Sequence, residues 1–468
     1  MAAPFCLAVD FGTTNTVAVV TADDGQRADA PLQRITFGDD WRLPSAVFWS
    51  ADGPPVVGRN AVRSQRMDPT RFIRCPKREM GFGAVPLGGH QVPVTQIVAA
   101  VLDTVHLETV RQLGGEPRHV VLTRPVQWAA TRRGEFEEAA RLAGWQEAQF
   151  LEEPVGAAIR LGSLDPLPSG KPFAVLDFGG GTLDVAVVQR EGAAFDVLAS
   201  DGADPLGGED IDDLVFTYVL STLVDQGAAR LLADSPDPAW SSRRTALRRN
   251  CQLAKEQLSE QDWGAVGLPH GGDDVILTRQ QFDGLAGPVL QRAAGTLHET
   301  VLQCGYDPAT VPVYLVGGSS RIPTLRQMIR AQMHCEVRLV GDPQFVVSEG
   351  AALWAAHRPG AQRGRMLFER VWERFPDRRA ALEDAGRAAR ETLTTARRRA
   401  LEAGGRVRDA AERARNDPRV KETGERLRRE TRRLVDEARQ DARTSSAVLW
   451  SVLVVLLLVV VVVVAATG

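Results

Sequence analysis

Short apolar runs alternate with amphipathic stretches from the start of the chain to about residue 357, the pattern of an α/β domain. Apolar runs at 7–10, 17–21, 119–123, 174–177, 185–189 and 313–316 predict strands, and helical spacing predicts helices at 94–112, 130–143, 211–225, 243–259 and 279–304. One strand–turn–strand unit occurs twice. LAVDFGTTNTVAVV (7–20) and AVLDFGGGTLDVAVV (174–188) share an apolar strand, an aspartate, Phe-Gly, a small-residue turn and a second apolar strand. A repeat spaced this widely predicts two similar lobes, each presenting one glycine-rich hairpin, and not a solenoid.

After Arg358-Pro359-Gly360 the pattern changes. Residues 361–446 are rich in Arg, Glu and Ala with only a thin apolar stripe, and breaks fall at Asp377, Gly404-Gly405 and Asn416-Asp417-Pro418. The segment 358–446 is expected to be a charged helical stalk or linker, reaching about 130 Å if wholly helical. A solvated stalk and a surface for partner binding or coiled-coil self-association are both open to it. Residues 447–466 carry no charge and are apolar enough for a transmembrane helix, since a bilayer core of about 30 Å needs about 20 such residues. Arginines up to Arg443 precede this run and only Thr467 and Gly468 follow it. The positive-inside tendency then gives a single-pass, tail-anchored membrane protein with its N-terminal domain (1–357) in the cytoplasm.

Charge sharpens this division. The net charge is −3, but 24 basic against 16 acidic side chains in 361–446 leave the first 360 residues at −11. An acidic head argues against nucleic acid as a partner, because phosphate contacts need clustered positive charge. The five cysteines are scattered without a CxxC pair and read as reduced thiols. Of 56 basic residues only Lys77, Lys171, Lys255 and Lys421 are lysines, so lysine stands out where an ammonium and a guanidinium are not equivalent.

The candidate chemistry lies in the turns. In DFGTTN (10–15) a strand ends in Asp10 and a turn of Gly12, Thr13, Thr14 and Asn15 points backbone N–H groups into one concavity, suited to a phosphate oxyanion. In DFGGGTLD (177–184) the same device recurs through Gly179, Gly180, Gly181 and Thr182. Two facing hairpins would grip a polyphosphate, with Asp10 and Asp177 presenting carboxylates to one Mg²⁺, a metal that keeps most of its waters. A third glycine cluster, VGGSSRIP (316–323), follows a strand and opens a helix; glycine lets backbone approach a flat ligand, and Arg321 could lie against a base or ribose.

DFGTTN, LEEPVGAA (151–158), DFGGGTLD, LGGED (206–210) and VGGSSRIP stand in the order and rough spacing of the DnaK-type, seventy-kilodalton heat-shock chaperones, whose nucleotide-binding domain residues 5–357 resemble. The resemblance implies a two-lobed actin-like ATPase fold with duplicated ribonuclease-H-like lobes, ATP and Mg²⁺ as ligands, K⁺ as a further candidate cation, and slow hydrolysis. DPTRFIRCPKREMG (68–81) is similar to the family segment that holds the catalytic lysine, which falls on Lys77. By the same matching Glu153 lies near the metal and the attacking water, Thr182 contacts the γ-phosphate, Asp10 and Asp177 hold the metal shell, and Asp184 positions a cation or the water. Gly207, Gly208 and Glu209 match the edge near ribose and phosphates. CQLAKEQLS (251–259) resembles the adenosine helix, giving Lys255 and Ser259 to ribose and adenine, with Gly317, Gly318, Ser319 and Arg321 closing the other side of the base.

Some positions depart from the family pattern. Gln252 replaces a usual glutamate, Glu256 a frequent base-stacking arginine, and Gln344 an acidic residue. Beyond 357 no regularly spaced strands predict the family's peptide-gripping sandwich. The expected function is therefore an ATP-driven conformational switch at the cytoplasmic face of a membrane, acting on an unidentified protein partner or client. The alternatives are a membrane-tethered actin-like filament, a scaffold that uses ATP structurally, and a small-molecule kinase on the same fold.

Overall fold

The apolar runs are apolar at successive positions because their strands are covered on both faces. Along β1 (Phe5–Phe11), Phe5, Leu7, Val9 and Phe11 point into one core and Cys6 and Ala8 into another, all of them buried. The structure, a computed structural model, describes residues 4–356 apart from 24–30, 51–52, 166, 193, 224 and 236. The expected domain boundary at 357, the stalk 358–446 and the transmembrane helix 447–466 lie outside the described residues. Among the described residues no helix is long and apolar enough to cross a membrane.

The sequence echo is a structural repeat. The first sheet comprises β1, β2 (Asn15–Ala22), β3 (Leu32–Arg34), β4 (His119–Arg124) and β5 (Gln149–Glu152) in the order β5-β4-β1-β2-β3, with Leu43–Pro44 also pairing β2. The second comprises β6 (Pro172–Phe178), β7 (Leu183–Glu191), β8 (Ala194–Ala203), β9 (Val313–Val316) and β10 (Val337–Leu339) in the equivalent order β10-β9-β6-β7-β8. In each, the central strand pairs antiparallel with its hairpin partner and parallel with the strand on its other side. Asp10 and Asp177 occupy matching places at the ends of the two central strands, opposite Thr123 and Val316 respectively.

Helices 94–113 and 130–142 cover one face of the first sheet, and α3 (Gly208–Thr222) with helix 279–303 covers one face of the second. On the opposite faces two further helices cross between the lobes: α2 (Glu153–Leu164) packs on the second sheet, and α5 (Val346–Ala356) on the first. They meet at Gly156 and Gly350, where a Cβ on Gly350 would overlap Gly156 O.

Two helix boundaries differ from the periodicity, and in each a cap decides. The helix expected at 211–225 is α3, already formed at Gly208; Asp225 is not its last residue but caps helix 226–234, accepting from Gly227 N and Ala228 N at 2.9 and 3.0 Å. The helix expected from 243 is α4 (Pro238–Leu258), whose N-cap Asp237 accepts from Ala239 N at 2.7 Å. That adds a first turn, which the apolar spacing did not include.

Candidate functional site

The first hairpin turn is locked from one side by Ser45. Its N–H donates to Thr14 O at 2.9 Å, its Oγ donates to Gly12 O at 2.8 Å, and its Oγ also meets Thr16 Oγ1 at 2.9 Å. Asn15 opens β2, where its carbonyl crowds Gly12. The second turn closes through Gly179 N to Thr182 O at 3.0 Å. The two turns abut: a Cβ on Gly180 would meet Thr14, and one on Gly181 would meet Thr13 and, at 2.9 Å, Arg78 Nη2. Thr14 Oγ1 crosses to Glu209 Oε1 at 3.0 Å. Thr13 is buried, and its Oγ1 has no hydrogen-bond partner among the described residues. A buried hydroxyl without a partner is costly unless a ligand completes it.

Beneath the turns lies a charge cluster. Lys77, from the short helix α1 (Pro76–Glu79), donates to Glu153 Oε1 at 2.8 Å, with both side chains buried. Its ammonium stands 5.6 Å from the Trp128 ring centroid. Glu153 is the first residue of α2, Asp10 Oδ1 accepts from Thr123 Oγ1 at 2.9 Å, and Asp184 is hydrogen-bonded by Thr182. Burial pushes the Glu153 carboxyl up to about 8, and Asp10 and Asp184 add to the rise while Lys77 opposes it. Burial, then the charges of Glu153, Asp10 and Asp184, raise Asp177 well above its ordinary value against the pull of Lys77. Asp10 and Asp184 are raised by burial too, with Lys77 opposing in each case. Burial pulls the Lys77 ammonium down, but Glu153, Asp10 and Asp184 outweigh it and hold its pKa above the ordinary value. Four carboxylates thus share one cation, a balance that favours binding further positive charge. Among the described residues no three of His, Cys, Asp and Glu stand close enough to ligate a metal by themselves, so an ion here would keep water in its shell.

The second lobe builds a wall beside this cluster. Gly208 N and Glu209 N donate to Gly179 O and Gly180 O at 3.0 and 2.7 Å, carrying the 207–209 turn onto the second hairpin. Ser319 Oγ donates to Gly179 O at 2.8 Å, and Lys255 Nζ, on α4, donates to Gly208 O at 2.9 Å and pairs with Asp212 Oδ1 at 2.9 Å. Gly317 has φ 82°, left-handed backbone that favours glycine, and a Cβ there would collide with Asp177 Oδ1. Gly318 lies against Gln344. The residues expected from sequence therefore converge, with two qualifications. Ser259 Oγ turns back to Lys255 O at 3.4 Å, and Arg321 is engaged by Asp342 Oδ1 at 2.7 Å. The two departures on α4 pair with each other, Gln252 Nε2 donating to Glu256 Oε1 at 2.9 Å.

Three contributors were not singled out by sequence. Ser45 and Thr123 support the hairpin and Asp10 from neighbouring segments, which no local motif announces. Arg78 donates to Gly181 O at 2.6 Å and lies 3.2 Å from Asp204 Oδ1, joining the first lobe to the second; its one signal was its place beside Lys77. All five cysteines are free thiols, and burial, then Glu209, pushes Cys75 up to about 12, which disfavours its thiolate.

Residues 83–371 match the family model of the Hsp70 protein. The chain belongs to the Hsp70 family. It is 30% identical over 391 residues to the Chaperone protein HscA homolog of Acidithiobacillus ferrooxidans, covering 77% of this chain and 60% of that protein. It is 33% identical over 371 residues to the HscA homolog of Azotobacter vinelandii (74% and 57%), and 27% over 359 residues to the Chaperone protein DnaK of Cenarchaeum symbiosum (75% and 54%). The chain thus spans somewhat over half the length of these Hsp70 relatives. Membership of the Hsp70 family carries the actin-like ATPase α/β fold, in keeping with the two equivalent sheets. These relatives are chaperones by name and lend no support to the filament alternative.

Proposed function

We propose that this Hsp70-family chain binds ATP with Mg²⁺ between its lobes and hydrolyses it to drive a conformational switch acting on a protein client or co-chaperone. The observation that carries the reading is the convergence of Asp10, Lys77, Glu153, Asp177 and Asp184 beneath two abutting glycine hairpins. The N–H groups of turns 12–15 and 179–182 cradle the phosphates, and Thr13 and Thr182 supply hydroxyls. Asp10 and Asp177 would hold Mg²⁺, mainly through its waters, and the ion would neutralise phosphate charge there. Asp184 is the candidate for a monovalent cation such as K⁺. Lys77 orients the attacking water and faces charge developing on the γ-phosphate, while Glu153, whose raised pKa lies near the working range, holds that water and takes its proton. Lys255, Ser259, Gly317, Gly318, Ser319 and Arg321 bind the nucleoside, and Gly207, Gly208 and Glu209 link it to the phosphates. Single-turnover incubation of the full chain with Mg·ATP tests this: phosphate release is expected, and its absence would remove the hydrolytic reading.

The run 447–466 is proposed to span a bilayer, with the arginine-rich segment before it and the two lobes on the cytoplasmic side. The full chain is then expected to stay with membranes through an alkaline carbonate wash, and a chain ending at residue 446 to leave them. Release of the full chain by the wash would contradict the anchor.

A further inference from the structure

Arg34 ends β3 at the edge of the first sheet, and its guanidinium reaches the segment that leaves the second lobe for α5. Nη1 donates to Asp342 Oδ2 at 3.1 Å, while Nε and Nη2 reach Glu349 Oε1 at 3.3 and 2.9 Å. The face of the group lies over Phe345, 3.7 Å from its centroid, and over Trp41 at 5.6 Å. Both carboxylates are shared. Asp342 Oδ1 accepts from Arg321 Nη2 at 2.7 Å, and Glu349 Oε2 accepts from Arg160 Nε of α2 at 2.7 Å. Arg321, Asp342, Arg34, Glu349 and Arg160 therefore form one chain of alternating charge, running from the turn beside Asp177 to the crossing helices.

Residues 342–344 are the backing of that turn. Beyond the ion pair with Arg321, Pro343 O accepts from Gly317 N at 2.8 Å, and Gln344 Nε2 lies where it would be 2.9 Å from a Cβ on Gly318. Segment 342–344 connects β10 of the second sheet to α5, which packs on the first. It leads into one of the two crossings between the lobes, α2 being the other, and Arg34 grips it at Asp342 while holding the chain just beyond it at Phe345 and Glu349.

We propose that Arg34 is a positioning residue for the nucleoside, holding Asp342 from the first lobe and through it the Gly317–Arg321 wall of the second. The inference rests on the reading of the cleft as an ATP site. It adds that contacts to base and ribose form fully only at the lobe angle at which Arg34 reaches Asp342. Nucleoside affinity and lobe closure are then coupled, and by linkage each biases the other. A merely structural Arg34 would support the fold without regard to which part of the nucleotide is bound.

The test compares Mg²⁺-dependent affinities of the full chain for ATP and for inorganic tripolyphosphate by calorimetry, alongside melting temperatures. Arg34→Met is expected to weaken ATP about tenfold, within the range of ordinary coupling energies, and to leave tripolyphosphate unchanged. In turnover it raises KM for ATP with little effect on kcat. Asp342→Asn, which keeps the shape of the residue, should also show an ATP-specific loss, and the double variant should lose less than the sum of the two single losses because they share one interaction. Arg34→Lys recovers only part, since one ammonium cannot serve both carboxylates. Equal losses for the two ligands, or none in either variant, would overturn the proposal. A wild-type chain that binds neither ligand would instead defeat the phosphate-site reading beneath it, and the proposal with it.

Discussion

Replacing Lys77 by alanine is expected to slow ATP hydrolysis about 10²–10³-fold, the usual cost of removing one preorganised transition-state partner, while Mg·ATP binding persists. The reason lies in how the ammonium is held. Lys77 is buried, hydrogen-bonded to Glu153 at 2.8 Å, and kept protonated by Glu153, Asp10 and Asp184 against the pull of burial. It is thus a fixed positive charge that need not reorganise as the γ-phosphate is transferred. Binding relies chiefly on backbone N–H groups, the metal and the nucleoside wall, all of which survive the substitution. Lys77→Arg should not rescue hydrolysis, because a planar fork cannot replace a compact ammonium on a side chain only 9% exposed. Phosphate release in single-turnover mixing, with binding followed separately, measures both effects. Undiminished release from the alanine variant would contradict the assignment.

Gly350→Ala should destabilise the protein, although alanine is a better helix former than glycine by about 1 kcal/mol. Gly350 lies within α5 where that helix crosses α2, and the added methyl would overlap Gly156 O and approach Arg160 N to 3.1 Å. Both are backbone atoms of a packed helix, so the helices must separate and the lobes with them. Overpacking of this kind typically costs about 1–3 kcal/mol, enough to outweigh the gain in propensity. Gly295→Ala is the matched control: it also sits within a helix, and a Cβ there meets nothing within 4 Å, so propensity alone predicts equal or greater stability. Melting curves for the two variants should therefore move in opposite directions. Unchanged or raised stability in the Gly350 variant would mean that the crossing is not close-packed.

The sequence was informative wherever burial was total or a motif was local. Strands β1, β2, β4, β6, β7 and β9 were legible because unbroken apolar runs of that length have few alternatives between two covering layers. The doubled Asp-Phe-Gly turn foretold two equivalent sheets, since the repeat lies in the strands themselves. Helix ends were less legible, because Asp225 and Asp237 act as caps through side-chain hydrogen bonds that apolar spacing does not register. The supports of the site stayed hidden for a different reason. Ser45 reaches Gly12 across 33 positions and Arg34 reaches Asp342 across 308, and pairings of that separation exist only once the lobes are folded. Arg321 was expected beside the base or ribose, and nothing in its motif signals its partner Asp342, which lies 21 positions on, at the start of a segment that joins the lobes. The Gly156–Gly350 crossing was equally invisible, since neither glycine stands in a turn.

Titration calorimetry of the full chain with ATP, in excess Mg²⁺ and again in EDTA, tests the central claim most directly. One saturable site is predicted with magnesium, weakened about tenfold or more without it, as expected when crowded carboxylates and a triphosphate lose the cation between them. Absence of binding, or binding indifferent to magnesium, would contradict the account.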